Sequence, residues 1–244
     1  MWNDAGLSGT FAVAPAIASF ERDGFVVLPP LIDAAGCDAA LTHTREIAGV
    51  GSRNLLDRPP LRDLATHLRS LPALAPLLPP DALCVQCTLF AKGSGTSWSV
   101  GAHQDLGIPV AKRIDVPGFT GWRQKEGAWY VQPPTDVLAT LVAVRLQLDA
   151  DAARSGPLEV VPGSHDARLS AAEASTFDAA KRVACVPARG GAVVMRPLIV
   201  HASGTGDPDL PRRVLHFLFA PPGLPGGLMW AGTTTTPTPA ILRP

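Results

Sequence analysis

His103 and Asp105 stand two residues apart in the stretch Val100-Gly-Ala-His-Gln-Asp-Leu-Gly107. The flanking sequence is β-rich, and in a strand residues i and i+2 project to the same face, so one imidazole and one carboxylate converge. Divalent first-row metals accept both. One more histidine would complete the two-histidine, one-carboxylate facial set of non-haem Fe(II) sites. A candidate lies far down the chain. Gly191-Ala-Val-Val-Met-Arg-Pro-Leu-Ile-Val-His201 reads as a strand delivering His201 at its end, with Ser203 on the same face if the strand continues. A turn over 202–211 then leads to a return strand that begins Arg212-Arg213. An antiparallel hairpin would bring one of these guanidinium groups back beside His201.

These residues need a scaffold, and the pattern supplies one. Residues 1–14 read as a leader. Helical periodicity starts near Ala16 and stops at Gly24; Phe25-Val-Val-Leu28 is a short strand; a second helix runs from Ala34, capped by Asp33, through Cys37, Leu41 and Ile47. A third spans Leu61 to Ser70. Beyond residue 82 the signal turns to β, with strands expected at 83–91, 137–149, 158–161, 183–187, 192–201 and 212–220 and one helical insert at 170–181. Helices first and strands after give a mainly β, α+β layout, a sandwich or barrel with flanking helices. The single domain 1–244 then divides into helical support over 16–82, a β core over 83–220 and a loose tail over 232–244. The stretch 107–134, with Trp122, Trp129 and Tyr130, reads as a structureless lid loop. His43 and His67 sit on helical faces with nothing to converge with.

Composition narrows the function. Twenty-one basic residues balance twenty-one acidic ones, which removes the electrostatic case for nucleic acid or an anionic membrane surface. Apolar residues make up 46% and charged residues 17%, enough to bury a core. No apolar run is long enough to cross a bilayer, and the Met1-Trp-Asn-Asp start lacks a positive n-region, so a cytoplasmic location is expected. Four cysteines are too few and scattered for a disulfide framework. The Cys84-x-x-Cys87 pair lies in a strand, where i and i+3 face opposite sides, so small buried residues is the better account than zinc or redox chemistry. Oligomeric state is not legible.

Several segments together resemble the phytanoyl-CoA dioxygenase-like family of Fe(II)/2-oxoglutarate-dependent oxygenases. They are Phe20-Glu-Arg-Asp-Gly-Phe-Val-Val-Leu28, His103-Gln-Asp105, Ser155-Gly-Pro-Leu-Glu-Val-Val-Pro-Gly-Ser-His165, and Pro197-Leu-Ile-Val-His-Ala-Ser203 followed by Arg212-Arg213. The resemblance implies a double-stranded β-helix, a jelly-roll barrel, with iron at one mouth. It also implies that His103, Asp105 and His201 are the catalytic metal ligands and that Arg212 receives the distal carboxylate of 2-oxoglutarate. Ser203 and Gln86 would add hydrogen bonds to the cosubstrate, and His165 would be structural.

The cofactors so implied are Fe(II), 2-oxoglutarate and O2, and the reaction is hydroxylation of an aliphatic C–H in a small organic metabolite, with release of succinate and CO2. Asp105 argues against halogenation, because related halogenases replace that carboxylate by a small residue. Desaturation or cyclisation stays open. So does a non-catalytic metal- or ligand-binding jelly roll; a zinc hydrolase would leave Arg212 without a task. For the substrate, Arg145 and Gln147 point to a polar barrel mouth, and Trp98, Trp122 and Trp129 are candidate pocket walls.

Overall fold

The computed structural model describes residues 2–5, 12–47, 51–93 and 98–232. The helix α1 (Val13–Asp23) starts three residues before Ala16 and ends where Gly24 takes a left-handed backbone, φ 79°, and donates its N–H to the Phe20 carbonyl. A Cβ at Gly24 would overlap the ring of His165, so conformation and space both demand glycine there. After β1 (Phe25–Leu28), α2 (Ala34–Thr44) is capped by the Asp33 carboxylate, which accepts the Gly36 N–H at 2.7 Å. It stops short of Ile47. In α3 (Pro59–Ser70) the buried residues Leu61, Leu64, Ala65 and Leu68 make one apolar stripe.

Then come β2 (Leu83–Lys92), β3 (Val100–His103), β4 (Ile108–Val110), β5 (Thr120–Lys125), β6 (Ala128–Gln132), α4 (Thr135–Ala139), β7 (Val142–Gln147) and β8 (Leu158–Val160). The chain continues through α5 (Ala171–Ser175), β9 (Val183–Cys185), β10 (Ala192–Met195), β11 (His201–Ser203) and β12 (Arg212–Ala220). They form a five-stranded antiparallel sheet β1-β10-β7-β12-β2, a four-stranded antiparallel sheet β3-β11-β8-β9 and a ribbon β4-β6-β5.

Strand alternation separates two cores. Val142, Val144 and Leu146 of β7 and Leu215, Phe217 and Phe219 of β12 face the helices α2 and α3. The alternate residues Ala143 and Leu218 face the other way and meet Leu158 and Val160 of the four-stranded sheet and Val110 and Val131 of the ribbon. Phe217 and Phe219 are fully buried, each worth roughly 1.5–3 kcal/mol of burial. The polar members of this inward face, Arg145 and Gln147 on β7 and Arg212 and His216 on β12, are buried between the sheets.

Five expectations are corrected. The segment 192–201 is two strands, because β10 ends at Met195 before Arg196-Pro197 and His201 opens a strand in the other sheet; proline removes a ladder donor there. β11 and β12 therefore form no hairpin. Strand 137–149 begins only at Val142, since Thr135–Ala139 is helical. The stretch 107–134 is a three-stranded ribbon, hidden from pattern reading because β5, Thr-Gly-Trp-Arg-Gln-Lys, carries no buried residue. The helical insert at 170–181 is α5 plus a separate 3-10 turn at 179–181. Of the tail, only Gly232 lies within the described residues.

Candidate metal and cosubstrate site

β3 and β11 pair so that His103 lies opposite His201, with ring centroids 4.3 Å apart. Asp105 lies just beyond β3, so its placement comes from a turn rather than from strand alternation. That turn is pinned: the Asp105 N–H donates to the Pro197 carbonyl at 2.9 Å. Gln104, buried and facing away from its two neighbours, donates to the carbonyls of Ala167 and Leu198 and accepts the Leu169 N–H at 2.8 Å. The Pro-Gly-Ser-His turn supports the other strand, because Ser164 Oγ accepts the Val200 N–H at 2.8 Å beside His201. Gly163 N–H reaches Asp23 O at 2.9 Å and the His165 ring covers Gly24, so this turn also ties α1 to the site.

The result is a cluster. One ligating atom each from His103, Asp105 and His201 lies within 4.8 Å of the others, with His201 Nε2 3.6 Å and His103 Nε2 4.0 Å from the Asp105 carboxylate. The Nδ1 atoms of His103 and His201 lie 2.8 and 2.9 Å from the carbonyls of Gly101 and Ile199. A carbonyl only accepts, so each Nδ1 carries the proton and each Nε2 offers its lone pair to the centre of the cluster. Burial, against the pull of Asp105, pushes His201 down to about 4, so its Nε2 is unprotonated at neutral pH. Burial works to raise Asp105, but His201, His216, His103 and Arg145 outweigh it and hold the carboxyl below its ordinary range. Its side chain still exposes 42% of its surface to the adjoining cavity. This donor set fits a divalent cation with coordination positions left open.

Between the sheets lie three cations. Arg212 pairs with Lys92 across β12 and β2, and His216 with Arg145 across β12 and β7. Lys92 Nζ donates to Ser203 Oγ at 3.1 Å and to Gly204 O at 2.6 Å. Arg212 donates to Gly156 O, while its Nε is buried with no partner. Arg145 donates to His216 Nδ1 at 3.2 Å and stacks over Phe90. Among the described residues none of the three is ion-paired with an acid, and Asp105 acts on Arg145 only from a distance. Burial and then Arg145 lower Arg212 to about 10; burial, then Arg212 and Arg145, lower Lys92 to about 8. A group of buried cations without an ion-paired acid, one of them with an orphaned N–H, fits a dianion.

No curated protein sequence matches the chain. The family model for phytanoyl-CoA dioxygenase matches residues 20–214. The chain belongs to the phytanoyl-CoA dioxygenase family. It is accordingly a 2-oxoglutarate-dependent oxygenase whose cofactors are iron, 2-oxoglutarate and O2. Solved structures share the jelly-roll fold. The non-haem α-ketoglutarate-dependent epimerase SnoN from nogalamycin biosynthesis superposes with TM-score 0.63 at 21% identity, covering 86% of this chain and 81% of that one. The carbocyclase SnoK from the same biosynthesis gives 0.62 at 17%, covering 85% and 83%. AviO1 from Streptomyces viridochromogenes Tue57 gives 0.58 at 24%, covering 89% and 99%.

Within this family member, a cavity of about 360 Å³ opens beside His103 and Asp105, lined also by Gln86, Thr88, Phe90, Tyr130 and His216. Gln86 is at its wall, with Nε2 donating to Thr88 Oγ1 at 2.7 Å. The expected walls Trp98 and Trp129 do not line it. Trp129 packs edge-on against Trp122 with the second core, and Trp98 lies over Lys92 Nζ at 5.2 Å. Arg145 and Gln147 lie deep between the sheets rather than at the mouth, next to Arg212 around a small void of about 20 Å³. Arg213 faces the other way onto Asp149. Sequence reasoning missed Lys92 and Gln104. Lys92 ends an alternating strand like any solvent-facing lysine, and only the register with Arg212 shows otherwise. The cysteine pair also differs from expectation: a β-bulge between the partners of Leu218 and Phe219 breaks the alternation of β2, and Cys84 and Cys87 both face the helical core. Burial raises both thiols, Cys84 to about 12, which keeps them protonated and inert toward zinc.

Proposed function

We propose that the chain hydroxylates an aliphatic C–H of a small organic metabolite, with His103, Asp105 and His201 as iron ligands. Arg212 and Lys92 receive the distal carboxylate of 2-oxoglutarate. The observation that carries this reading is the convergence of three ligating atoms within 4.8 Å, both imidazoles held in the Nδ1–H form by backbone carbonyls. Iron bound there, with 2-oxoglutarate and O2, supplies the oxidising power for C–H cleavage, and the cosubstrate leaves as succinate and CO2.

The chain's own residues position and neutralise. Arg212 offers a planar fork whose unpartnered Nε suits a carboxylate, and Lys92 adds a point charge from the neighbouring strand. Ser203 holds the Lys92 ammonium in place. Arg145 can only donate, so it fixes His216 with its proton on Nε2, and burial followed by Arg145 pushes His216 down to about 3, keeping it neutral. Gln104 and Ser164 keep the ligand-bearing segments rigid. The epimerase SnoN and the carbocyclase SnoK share the fold, and ring closure or inversion by this chain would draw on the same metal and cosubstrate residues.

The test is Fe(II)- and O2-dependent conversion of 2-oxoglutarate to succinate by the full chain, measured beside 2-oxoglutarate binding to the Mn(II)-loaded form. Both are expected, and Asp105→Ala should weaken metal binding at least about 100-fold and abolish succinate formation. A metal-loaded chain that does not bind 2-oxoglutarate would sink the proposal.

A further inference from the structure

The ribbon β4-β6-β5 turns a cationic face toward the cavity. Arg123 and Lys125, two apart on β5, share that face, and with Arg53 all three line the cavity beside His103 and Asp105. Arg53 is already engaged, its Nη1 3.0 Å from Glu126. Neither Arg123 nor Lys125 is ion-paired among the described residues, Asp105 and Glu126 acting on Lys125 only from a distance; Lys125 Nζ sits 5.3 Å over the Tyr130 ring. Tyr130 is 2% exposed, lines the same cavity, and its hydroxyl has no hydrogen-bond partner. The Arg123 guanidinium packs over Gly107, where a Cβ would lie 3.2 Å from Nη2. Gly107 is two residues past Asp105, so this cation packs on a residue no more than roughly 7 Å along the chain from Asp105. Leu138, Leu141, Ala143 and Leu218 give the same cavity an apolar part of its lining.

We infer that Arg123 and Lys125, backed by Tyr130, bind an oxyanion on the substrate, a carboxylate or a phosphate, while its aliphatic body lies on the leucine wall. This deepens the oxygenase reading and rests on it. Three features set this group apart from ordinary surface cations: a shared cavity wall, the absence of a close ion pair to Arg123 or Lys125 among the described residues, and an unsatisfied buried hydroxyl. The cosubstrate's own cations, Arg212 and Lys92, do not line this cavity, so the two anion sites are separate. The reacting carbon then lies only a few bonds from the acid group.

The test measures binding of hexanoate, hexyl phosphate and neutral hexanamide to the full chain loaded with Mn(II) and 2-oxoglutarate, by ligand-detected NMR. At least one anionic probe should bind about tenfold or more tighter than the amide, the size expected of a charge-assisted hydrogen bond. A lead for hexanoate identifies a carboxylic acid, and one for hexyl phosphate identifies a phosphate ester. Arg123→Gln with Lys125→Gln should erase the preference and leave 2-oxoglutarate affinity unchanged, which also shows that the variant is folded. Equal binding of acid and amide overturns the inference. So does no binding by any probe, retention of the preference in the double variant, or parallel loss of 2-oxoglutarate. A parent chain that binds Mn(II) but not 2-oxoglutarate overturns the oxygenase reading and this inference with it.

Discussion

Lys92 makes the cosubstrate site titratable where arginine alone would not. Its ammonium, lowered to about 8 by burial and by Arg212 and Arg145, is charged at neutral pH and loses its proton above that value. Affinity for 2-oxoglutarate should therefore be flat below pH 8 and fall by up to about tenfold per pH unit above it, with proton uptake on binding. Lys92→Met should remove that slope. At pH 7 it should weaken 2-oxoglutarate by about 10- to 100-fold, the worth of one charge-assisted contact of roughly 1.5–3 kcal/mol. Without cosubstrate the sign reverses. The folded-state value lies below the ordinary 10.5, so between about 8 and 10.5 the unfolded chain holds more protons and stability rises with pH. Opposite trends in one window separate this effect from general alkaline damage. Calorimetric titration of the Mn(II)-loaded chain from pH 6.5 to about 9.5 is the assay, with melting curves of the apo chain in parallel. The reasoning fails if the parent's affinity is flat through pH 9, or if Lys92→Met keeps the slope.

Two further outcomes are expected. Arg212→Lys keeps a charge but loses the planar fork, so 2-oxoglutarate affinity should drop at least about tenfold while Mn(II) affinity is retained; equal loss of both would make Arg212 a structural residue. Gly24→Ala puts a side chain at φ 79° and into the His165 ring, and should cost more than about 1 kcal/mol, read as a lowered melting temperature.

What could be read in advance was what local chemistry dictates. The Asp33 cap, the Gly24 stop, and β12, whose bounds match the expected 212–220, depend on neighbouring residues alone. The convergence of His103 with Asp105 could be anticipated, although a pinned turn achieves it where strand alternation was expected. Features set by tertiary contact stayed hidden. The bulge that turns Cys84 and Cys87 to one side leaves no trace in composition. The polar β5 has no apolar rhythm to betray it, and Trp129 looked like a pocket wall because aromatic content says nothing of which side of a ribbon a ring takes.

All three candidate metal ligands belong to the four-stranded sheet or the turn leaving it, whereas Arg212 and Lys92 belong to the five-stranded one. Iron alone would thus grip a single slab of the sandwich. A molecule bound at once to the metal and to the two cations would rivet both slabs together, so opening of the sandwich should be suppressed only when metal and cosubstrate are present together. Amide exchange in β8 and β9 would then slow with the pair and not with either alone, which makes the jelly roll itself a reporter of site occupancy.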